Sequence, residues 1–522
     1  MNILRPCPQC NQEMITPRNR SDMKVLLLEG CMVLNGKPCA ACIEDLELEK
    51  EINELEKEIS EPEKEKNELE SRTAKIHIRR RALRTAMNEN HDPLIHKFPP
   101  EIASHIFIQY SPPSECFDRP TRISPLYLGA VCRKWRQLAW ATPDLWTSLR
   151  IRCRRQYKRD LPQLIDEWLE RSASLPLTIK LIDHSGWVYE YDEVITILNK
   201  HSARWYDMHF DISAHHLHRL SGSSEGNRLH RLVLRHPFSR SGRNDFSTFG
   251  MKSKPSPTDL TLFTIGLLFV NIAWDNLTVA LVHDIGADEC IELIRRAPHL
   301  STLTLQDINI SSSIFPFPNT RIIHPSLRSL ELRGFGNENV VAEILDSVCL
   351  PSLEEWIHNQ SSFLLDSMIS FVGCSSSCLK VFKVSIDRTD YHQVTRFLSH
   401  LSSIEFLELC TGRRPPSEEL FSLLCASAES PLYLPHLQSL EFVSEFYFNW
   451  EYLPQIFALS RWQSLKVRVR INRRLRLDGI EDQTVRLFLG LVDEGIDLTV
   501  VDDRCIDLVQ VYKQWRSQYT NS

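Results

Sequence analysis

A motif of three apolar positions recurs through the second half of the chain and constrains its fold more than any other feature. In each copy the first apolar residue is followed by two residues, a second apolar residue, one residue and a third apolar residue. Clear copies begin at Leu229, Leu300, Leu327, Leu379, Ile404 and Leu437, and weaker ones at Pro176, Trp205, Leu277, Leu353 and Trp462. From Leu300 to Ile404 the copies are spaced 27, 26, 26 and 25 residues apart. Because the last two positions are two residues apart, they share one face of a strand.

Helix-like runs lie between these predicted strands, at 340–348, 364–371, 394–401 and 420–428. A strand, a loop and a helix repeated about every 26 residues are typical of a leucine-rich-repeat solenoid. The Asn or Cys that usually follows the third apolar position is mostly missing. The interval from Leu229 to Leu277 is 48 residues, close to two units. We therefore predict an irregular α/β solenoid over 176–505, followed by a C-terminal tail over 506–522. A non-repeating α/β domain is the alternative.

The strand positions between the apolar ones should form one continuous solvent-facing surface. They include Thr302, Thr304, Ser329, Glu331, Lys383, Glu408, Ser439 and Glu441. This polar mixture has no dominant sign, and the whole chain carries a formal charge of only −6. Nucleic acid is therefore not expected as a partner, and a protein target is favoured.

Residues 43–90 carry a heptad pattern typical of a coiled coil. One apolar phase contains Ile52, Ile59 and Met87, and the other contains Leu48, Leu55, Leu69, Ile76 and Leu83. Polar residues, among them Arg80, interrupt the first phase, and Pro62 interrupts the second. Because proline disrupts a helix interior, we predict either a kinked helix or two helices that meet near Pro62. Acidic residues early and basic residues late favour an antiparallel hairpin, although self-association and a solvated single helix remain alternatives.

The segment 1–42 contains two Cys-x-x-Cys pairs, formed by Cys7, Cys10, Cys39 and Cys42. Two such pairs can supply the four thiolates of a tetrahedral structural zinc site. The 28 residues between the pairs exceed the common spacing, so two turn cysteine pairs without metal are the alternative. No other cofactor is expected.

Residues 91–150 predict a compact unit of three short helices. Pro99 and Glu101 are typical of a helix start, and Ile102 and Ile106 share a face of that helix. A second helix is predicted from Leu126 to Ala139, with an apolar stripe at Leu128, Val131, Cys132, Trp135 and Ala139. A third begins after Thr142. Such a small unit cannot bury all of these side chains internally, so some should contact a partner.

This segment resembles an F-box. The matching positions, in chain order, are Leu94, Pro99, Glu101, Ile102, Ile106, Leu128, Val131, Cys132, Trp135 and Trp146, with Phe98 where Leu is usual. The wider layout of a Cys-bearing head, a coiled coil, an F-box and a Leu-rich region is similar to that of a group of fungal F-box proteins. The resemblance covers about 60 of the 522 residues.

The resemblance implies an interaction and no enzymatic reaction. It implies that the helices dock onto the linker subunit of an SCF-type cullin–RING ubiquitin ligase through Leu94, Phe98, Pro99, Glu101, Ile102, Ile106, Leu128, Val131, Cys132 and Trp135. The repeat region would then bind a target protein for ubiquitin-dependent degradation, and 151–175 would form a connecting helix. The alternative is a non-ligase interaction scaffold in which these helices only pack internally.

The absence of several motifs disfavours other classes of function. The chain has no Gly-rich phosphate-binding loop of the nucleotide-binding types. The apolar run 260–274 is shorter than a membrane span and predicts a buried strand or helix, so no membrane association is expected. The first residues lack the apolar run of a signal peptide, so none is expected. The 15 cysteines are scattered, which favours reduced thiols and a cytoplasmic or nuclear location. Cys374 and Cys378 flank serines and are interpreted as a turn.

Overall fold

The computed structural model divides the chain into two compact units. The helical unit comprises Met1–Ser148 with Trp168–Leu175, and the solenoid unit comprises Leu149–Glu167 with Pro176–Ser522. The structure describes residues 40–58, 63–91, 98–110, 124–153, 161–183, 192–222, 228–236, 247–311, 313–334, 338–360, 363–375, 378–386, 391–412, 416–444, 448, 450–457, 462–471, 482–501 and 507.

The helical unit has two long helices followed by three short ones. These are α1 (Ala40–Glu58), α2 (Glu63–His91), α3 (Pro100–Tyr110), α4 (Pro125–Val131) and α5 (Arg133–Trp140), with a 3-10 turn at Pro143–Trp146. No helix among the described residues is long and apolar enough to cross a membrane.

Helices α1 and α2 form an antiparallel hairpin. Arg72 pairs with Glu51 at 2.9 Å and Arg79 pairs with Glu44, so later residues of α2 meet earlier residues of α1. The apolar heptad positions pack together along the seam: Leu48, Ile52, Leu55 and Ile76 are buried, with Leu69 and Leu83 against them. The hairpin thus covers within one chain the apolar seam that would otherwise need a second helix.

Arg80, which interrupts the apolar heptad phase, is buried in this hairpin. Its guanidinium lies 2.8 Å from the carboxylate of Glu49, and both side chains are about one-tenth exposed. A buried charge is tolerated where an opposite charge and hydrogen bonds accompany it. The ion pair therefore explains how a polar residue occupies an apolar position.

The solenoid unit is built on a single parallel ladder of fourteen strands. Each strand pairs with the next one along the chain. The strands are β1 (Ser148–Cys153), β2 (Leu177–Asp183), β3 (Trp205–Asp211), β4 (Arg231–Arg235), β5 (Asp259–Phe263), β6 (Val279–His283), β7 (Thr302–Gln306), β8 (Ser329–Arg333), β9 (Glu355–Asn359), β10 (Val381–Ser385), β11 (Phe406–Gly412), β12 (Ser439–Ser444), β13 (Lys466–Ile471) and β14 (Leu498–Val501). Sequential parallel pairing is the arrangement of a leucine-rich-repeat-like α/β solenoid, so the predicted fold class of this region is confirmed.

Helices and short strands connect the rungs of this ladder. The α-helices are α6 (Leu161–Arg171), α7 (Asp192–Lys200), α8 (Ala287–Arg296), α9 (Glu338–Ser347), α10 (Leu365–Ser375), α11 (Tyr391–Leu398), α12 (Glu418–Ala428), α13 (Leu453–Phe457) and α14 (Asp482–Asp493). Single 3-10 turns occur at Ser202–Arg204, Ala214–Arg219, Leu267–Phe269 and Trp450–Tyr452. Two pairs of short strands, Phe249–Gly250 with Val270–Asn271 and Ile322–Ile323 with Val348–Cys349, lie beside the main ladder.

The recurring apolar motif forms the core of the solenoid. In the copies that begin at Leu300 and Leu327, all three positions are at most 1% exposed. Register pairing places equivalent positions side by side, for example Leu303 beside Leu330 and Leu305 beside Leu332. Two motif residues depart from this pattern, since Leu437 is only half-buried and Pro176 is exposed.

The turn after each rung in the middle of the ladder is left-handed. Thr264, Asp284, Asp307 and Gly334 directly follow β5, β6, β7 and β8, and their φ angles are 61°, 59°, 49° and 65°. The N–H of each donates to the carbonyl of the last residue of the next strand, at 2.9–3.3 Å. The ladder therefore continues one residue into each turn. This satisfies a backbone donor at turns where the sequence lacks the usual Asn.

Three sequence predictions need correction or completion in this unit. The interval 151–175 was predicted to be a connecting helix, but its first residues belong to β1 and only Leu161–Arg171 is helical. The ladder therefore starts at Ser148 and not near 176. The 48-residue interval contains β5, the missing rung, which also accounts for the start of the apolar run at 260. Of the predicted tail, only Asp507 lies within the described residues.

Candidate functional site

An apolar groove lies on the helical unit between α3, α4 and α5. It has a volume of about 400 Å³ and is lined by Ile106, Phe107, Tyr110, Tyr127, Leu128, Val131 and Trp135. Phe107 and Leu128 form its buried floor, at 1% and 3% exposure. The Phe107 and Trp135 rings pack with centroids 4.8 Å apart. The groove is thus a preformed concave apolar surface, the usual shape of a docking site.

One side of the groove follows from the spacing of residues in α3. Ile102, Ile106 and Tyr110 are four residues apart, so they share a face, and they are 48%, 38% and 58% exposed. Ile106 and Tyr110 line the groove, and Ile102 lies one turn before them. Ala103 and Phe107 lie one position further along the helix and are buried. One face of α3 therefore packs into the unit while the neighbouring face presents apolar side chains to solvent.

The prediction of a continuous helix from Leu126 to Ala139 is wrong, because the helix is interrupted at Cys132. Cys132 has an extended backbone, with φ −155° and ψ 174°, and its Sγ accepts a hydrogen bond from the Trp135 N–H at 3.4 Å. It therefore caps α5 as a side-chain acceptor. The Arg136 Nε donates to the Gly129 carbonyl at 2.8 Å, which satisfies an acceptor near the end of α4.

The break changes which residues of the predicted stripe are available to a partner. Leu128 and Ala139 are buried at 3% and 0%, whereas Val131 is 50% exposed. A continuous helix would have placed all three on one face. Because α4 ends at Val131, this side chain lies at the groove rim while Leu128 supports the floor.

A tryptophan cluster holds these short helices together. The Trp146 ring lies 5.0 Å from that of Trp140 and 4.8 Å from that of Trp168, both edge-on. The Arg171 guanidinium lies 4.9 Å from the Trp140 and Trp146 rings. Gly129 is required beside this cluster, because a Cβ there would lie 2.2 Å from the Trp140 ring.

The predicted site residues fall into four groups. Phe98, Pro99, Glu101, Ile102, Ile106 and Val131 are exposed; Cys132 and Trp135 are half-buried; Leu128 is buried; and Leu94 lies outside the described residues. Sequence reasoning missed Phe107, Tyr110 and Tyr127, which line the groove. Tyr110 continues the four-residue spacing of Ile102 and Ile106, so the same helical period would have identified it. Tyr127 has no comparable signal.

A second candidate surface is the open face of the solenoid, formed by the strand side chains that alternate with the buried core positions. Register pairing brings Thr304, Glu331, Ile357, Lys383, Glu408, Glu441 and Arg468 into one row across seven strands. The Lys383 ammonium lies 2.7 Å from the Glu355 carboxylate, and Arg470 pairs with Glu441. The row therefore contains charges of both signs, in agreement with the polar mixture predicted from the sequence.

Two glutamates are neighbours in this row. Glu408 and Glu441 are register neighbours on β11 and β12. Burial, followed by the negative charge of Glu441, raises the pKa of Glu408 above its ordinary value, although Arg470 and Lys383 act in the opposite direction. This part of the face holds a carboxyl group whose charge depends on what lies against it.

Several cations surround a histidine near the N-terminal end of the open face. His209 lies on β3, and burial lowers its pKa to about 3, helped by the positive charges of Lys180, Arg235, Arg231 and Arg150. The Arg235 guanidinium lies 4.0 Å from the Phe263 ring centroid. Cations therefore lie at this end of the face as well as on β13, where Lys466, Arg468 and Arg470 are found.

The predicted zinc site falls outside what the structure describes. Cys7, Cys10 and Cys39 precede the described residues, and Cys42 lies in α1 without a described side chain. Among the side chains that are described, no group of three or more His, Cys, Asp or Glu residues is arranged to hold a metal ion. The zinc site stays a prediction.

Comparison with known proteins identifies no family. No family model matches the chain, and no curated protein matches it. A search of solved structures finds an internalin from Listeria monocytogenes at 12% identity, covering 63% of this chain and 82% of the internalin chain, with a TM-score of 0.30. At that score the likeness carries no argument, and the assignment to a leucine-rich-repeat-like solenoid rests on the strand order.

Proposed function

We propose that the protein is a non-enzymatic, substrate-recruiting adaptor of an SCF-type cullin–RING ubiquitin ligase. In this proposal the groove between α3, α4 and α5 docks onto the linker subunit, and the open face of the solenoid binds a target protein. The protein would act in the cytoplasm or nucleus.

The observation that carries the proposal is the exposure of apolar side chains on a small helical unit. Ile102, Ile106 and Val131 are 48%, 38% and 50% exposed beside a preformed apolar groove. They coincide with positions of the F-box resemblance. A soluble protein rarely leaves adjoining apolar side chains in water unless a partner covers them. This arrangement disfavours the scaffold alternative, in which the same side chains pack internally.

The energetics of docking also fit the groove. Aromatic side chains at the rim and floor, here Tyr110, Tyr127 and Trp135, are the residue types that contribute most to protein interfaces. The floor is already formed by Phe107 and Leu128. A partner therefore does not have to order the site before it binds, which lowers the cost of association.

The open face supports the second half of the proposal. Solenoids present alternate strand positions as an extended binding surface. The face here carries charges of both signs, which suits recognition of a protein segment with charged side chains.

The direct test is binding of the full chain to a purified linker–cullin complex. Ile102→Asp is the best substitution, because Ile102 is half-exposed and lies in the first turn of α3 (Pro100–Tyr110), where an acidic side chain is tolerated. We expect the affinity to fall by at least about 30-fold, the effect of losing an interface hot spot. Trp135→Ala is a poor probe, since it removes the ring that packs on Phe107.

A matched control is available in the solenoid unit. Leu432→Asp makes a similar change at a side chain that is 79% exposed and should leave linker binding unchanged. Wild-type protein that does not bind the linker would refute the ligase proposal. If wild type and Ile102→Asp bind equally well, the exposed face of α3 at Ile102 is not part of the docking site.

A further inference from the structure

Two cysteines that are distant in sequence lie together beside an arginine in the solenoid unit. Cys349 ends the short strand Val348–Cys349, and Cys374 lies in the last turn of α10. The Cys349 thiol donates to the Cys374 carbonyl at 3.0 Å, and the two side chains are also within hydrogen-bonding reach of each other. Both residues are partly exposed and reduced. The cluster therefore links two consecutive repeats.

Arg321 supplies positive charge to this pair. One of its terminal nitrogens lies 3.3 Å from the Cys374 Sγ and donates to the Ser370 carbonyl at 3.0 Å. Its other groups donate to the Ser370 Oγ at 2.7 Å and to the Asp346 carbonyl at 3.0 Å. The guanidinium is thus held by hydrogen bonds to two helices. A partly exposed thiol beside a fixed cation is the environment in which cysteines react.

The two thiols are chemically different. Burial, then the neighbouring Cys374 side chain, raises the pKa of Cys349 to about 11. Cys349 is therefore a neutral thiol at physiological pH. Both thiols donate to backbone carbonyls, Cys349 to that of Cys374 and Cys374 to that of Phe371 at 3.2 Å. Cys374 differs in that its sulfur also accepts from the Arg321 guanidinium. The pair thus has one sulfur placed to attack an oxidant and one placed to react with the product.

We infer that Cys374 and Cys349 form a peroxide-sensitive dithiol site, in which Cys374 is oxidised first and Cys349 resolves it to a disulfide. The Cys374 thiolate attacks one oxygen of hydrogen peroxide, breaking the O–O bond to give Cys374 sulfenic acid and hydroxide. The Cys349 thiol then displaces the sulfenic hydroxyl, forming the S–S bond and releasing water. Two electrons pass from the two sulfurs to the peroxide.

This modification would join two consecutive repeats through a covalent bond. Repeat proteins are stabilised by contacts between neighbouring units, and a disulfide restricts the unfolded chain. Oxidation would therefore cross-link the connecting segments that precede and follow β9. The site is independent of the proposed ligase function, because it involves none of the groove residues.

The experiment treats the reduced full-length protein with increasing hydrogen peroxide, blocks the remaining thiols with a maleimide, and maps peptides by mass spectrometry. We expect a cross-linked peptide pair containing Cys349 and Cys374, lighter by two hydrogens. It should form at lower peroxide than any oxidation of Cys378, which is exposed and only four residues away. The fold of each reduced variant is checked by its thermal midpoint.

Substitutions separate the proposed roles. Cys349→Ser should leave Cys374 as a sulfenic acid that dimedone traps, and Arg321→Lys should slow oxidation several-fold. Cys378→Ser should change nothing. Cys378 oxidation at the same peroxide concentration as Cys374, or no cross-link between Cys349 and Cys374, would overturn the inference. So would the absence of a dimedone adduct on Cys374 in Cys349→Ser.

Discussion

The solenoid and the groove-bearing helices use apolar residues in opposite ways. In the solenoid almost all of the recurring apolar side chains are buried in the core between neighbouring strands. In α3 and α4, apolar residues that also follow a regular spacing stay near half exposed. Regular apolar spacing therefore identifies an ordered element but does not say whether the protein itself covers it. The comparison therefore identifies the apolar side chains that the fold leaves exposed, and these form the candidate docking surface.

The largest expected effect lies in the solenoid core at Trp356. This side chain is fully buried on β9, with ring centroids of Phe371, Phe382 and Phe397 within 5.0–5.9 Å. Trp356→Ala should lower the free energy of unfolding by about 3–5 kcal/mol, because it leaves a cavity among aromatic side chains. Urea unfolding followed by circular dichroism measures this. A loss under about 1 kcal/mol would contradict the conclusion that the buried apolar side chains stabilise the solenoid.

A second large effect is expected at Gly129, where the groove helices pack against the tryptophan cluster. An added Cβ would lie 2.2 Å from the Trp140 ring, so the ring or α4 must move. Gly129→Ala should destabilise the helical unit by about 3 kcal/mol through overpacking, even though alanine favours helix formation. The thermal midpoint and the binding of the linker subunit should fall together. Ala130→Gly, one residue away at an exposed position, provides a neighbouring control with the opposite change in size.

A matched pair of valines tests the comparison directly. Val469 on β13 is fully buried, whereas Val131 at the groove rim is 50% exposed. Val469→Ala should cost about 2 kcal/mol of unfolding free energy. Val131→Ala should change it by less than about 0.5 kcal/mol, yet weaken linker binding. Equal stability losses in the two variants would show that Val131 is an ordinary core residue and that the groove contributes to the stability of the fold.

Much of the solenoid could be predicted from the sequence because its signal is local and repeated. Each copy of the motif predicts a strand, and the 48-residue interval indicates one further repeat, which contains β5. The strand β1 was missed because Leu149 and Ile151 are too short a pattern to recognise alone. The ladder pairs β1 with β2, and that long-range pairing has no local sequence signal.

The helical unit was less predictable because its decisive contacts depend on tertiary structure. The break at Cys132 depends on a sulfur cap and on Arg136 reaching the Gly129 carbonyl, neither of which the apolar spacing indicates. Arg80 looked like a defect in the heptads, and its partner Glu49 could be found only from the register of the hairpin. The pairing of Cys349 with Cys374 likewise requires the repeat geometry.

The smallest effect is expected on the open face, where His209 tests whether polar positions of the solenoid also belong to the fold. Its pKa in the folded protein is about 3, below the ordinary value of 6.5, because of burial and then the surrounding cations. The folded protein therefore keeps His209 neutral while the unfolded chain takes up a proton as the pH falls below 6.5. Stability should be lost between pH 6.5 and 3, by at most about 1.4 kcal/mol per pH unit from this residue.

His209→Gln removes this titration while keeping a neutral polar side chain of similar length. Urea unfolding at pH 7 and pH 5 should show the wild type losing about 1–2 kcal/mol more than the variant over that interval. The difference between the two proteins isolates His209 from the other histidines whose pKa values are lowered by burial, such as His216 and His236. Parallel pH dependences would mean that His209 is solvated, and that the open face near β3 is a free surface like the groove rim.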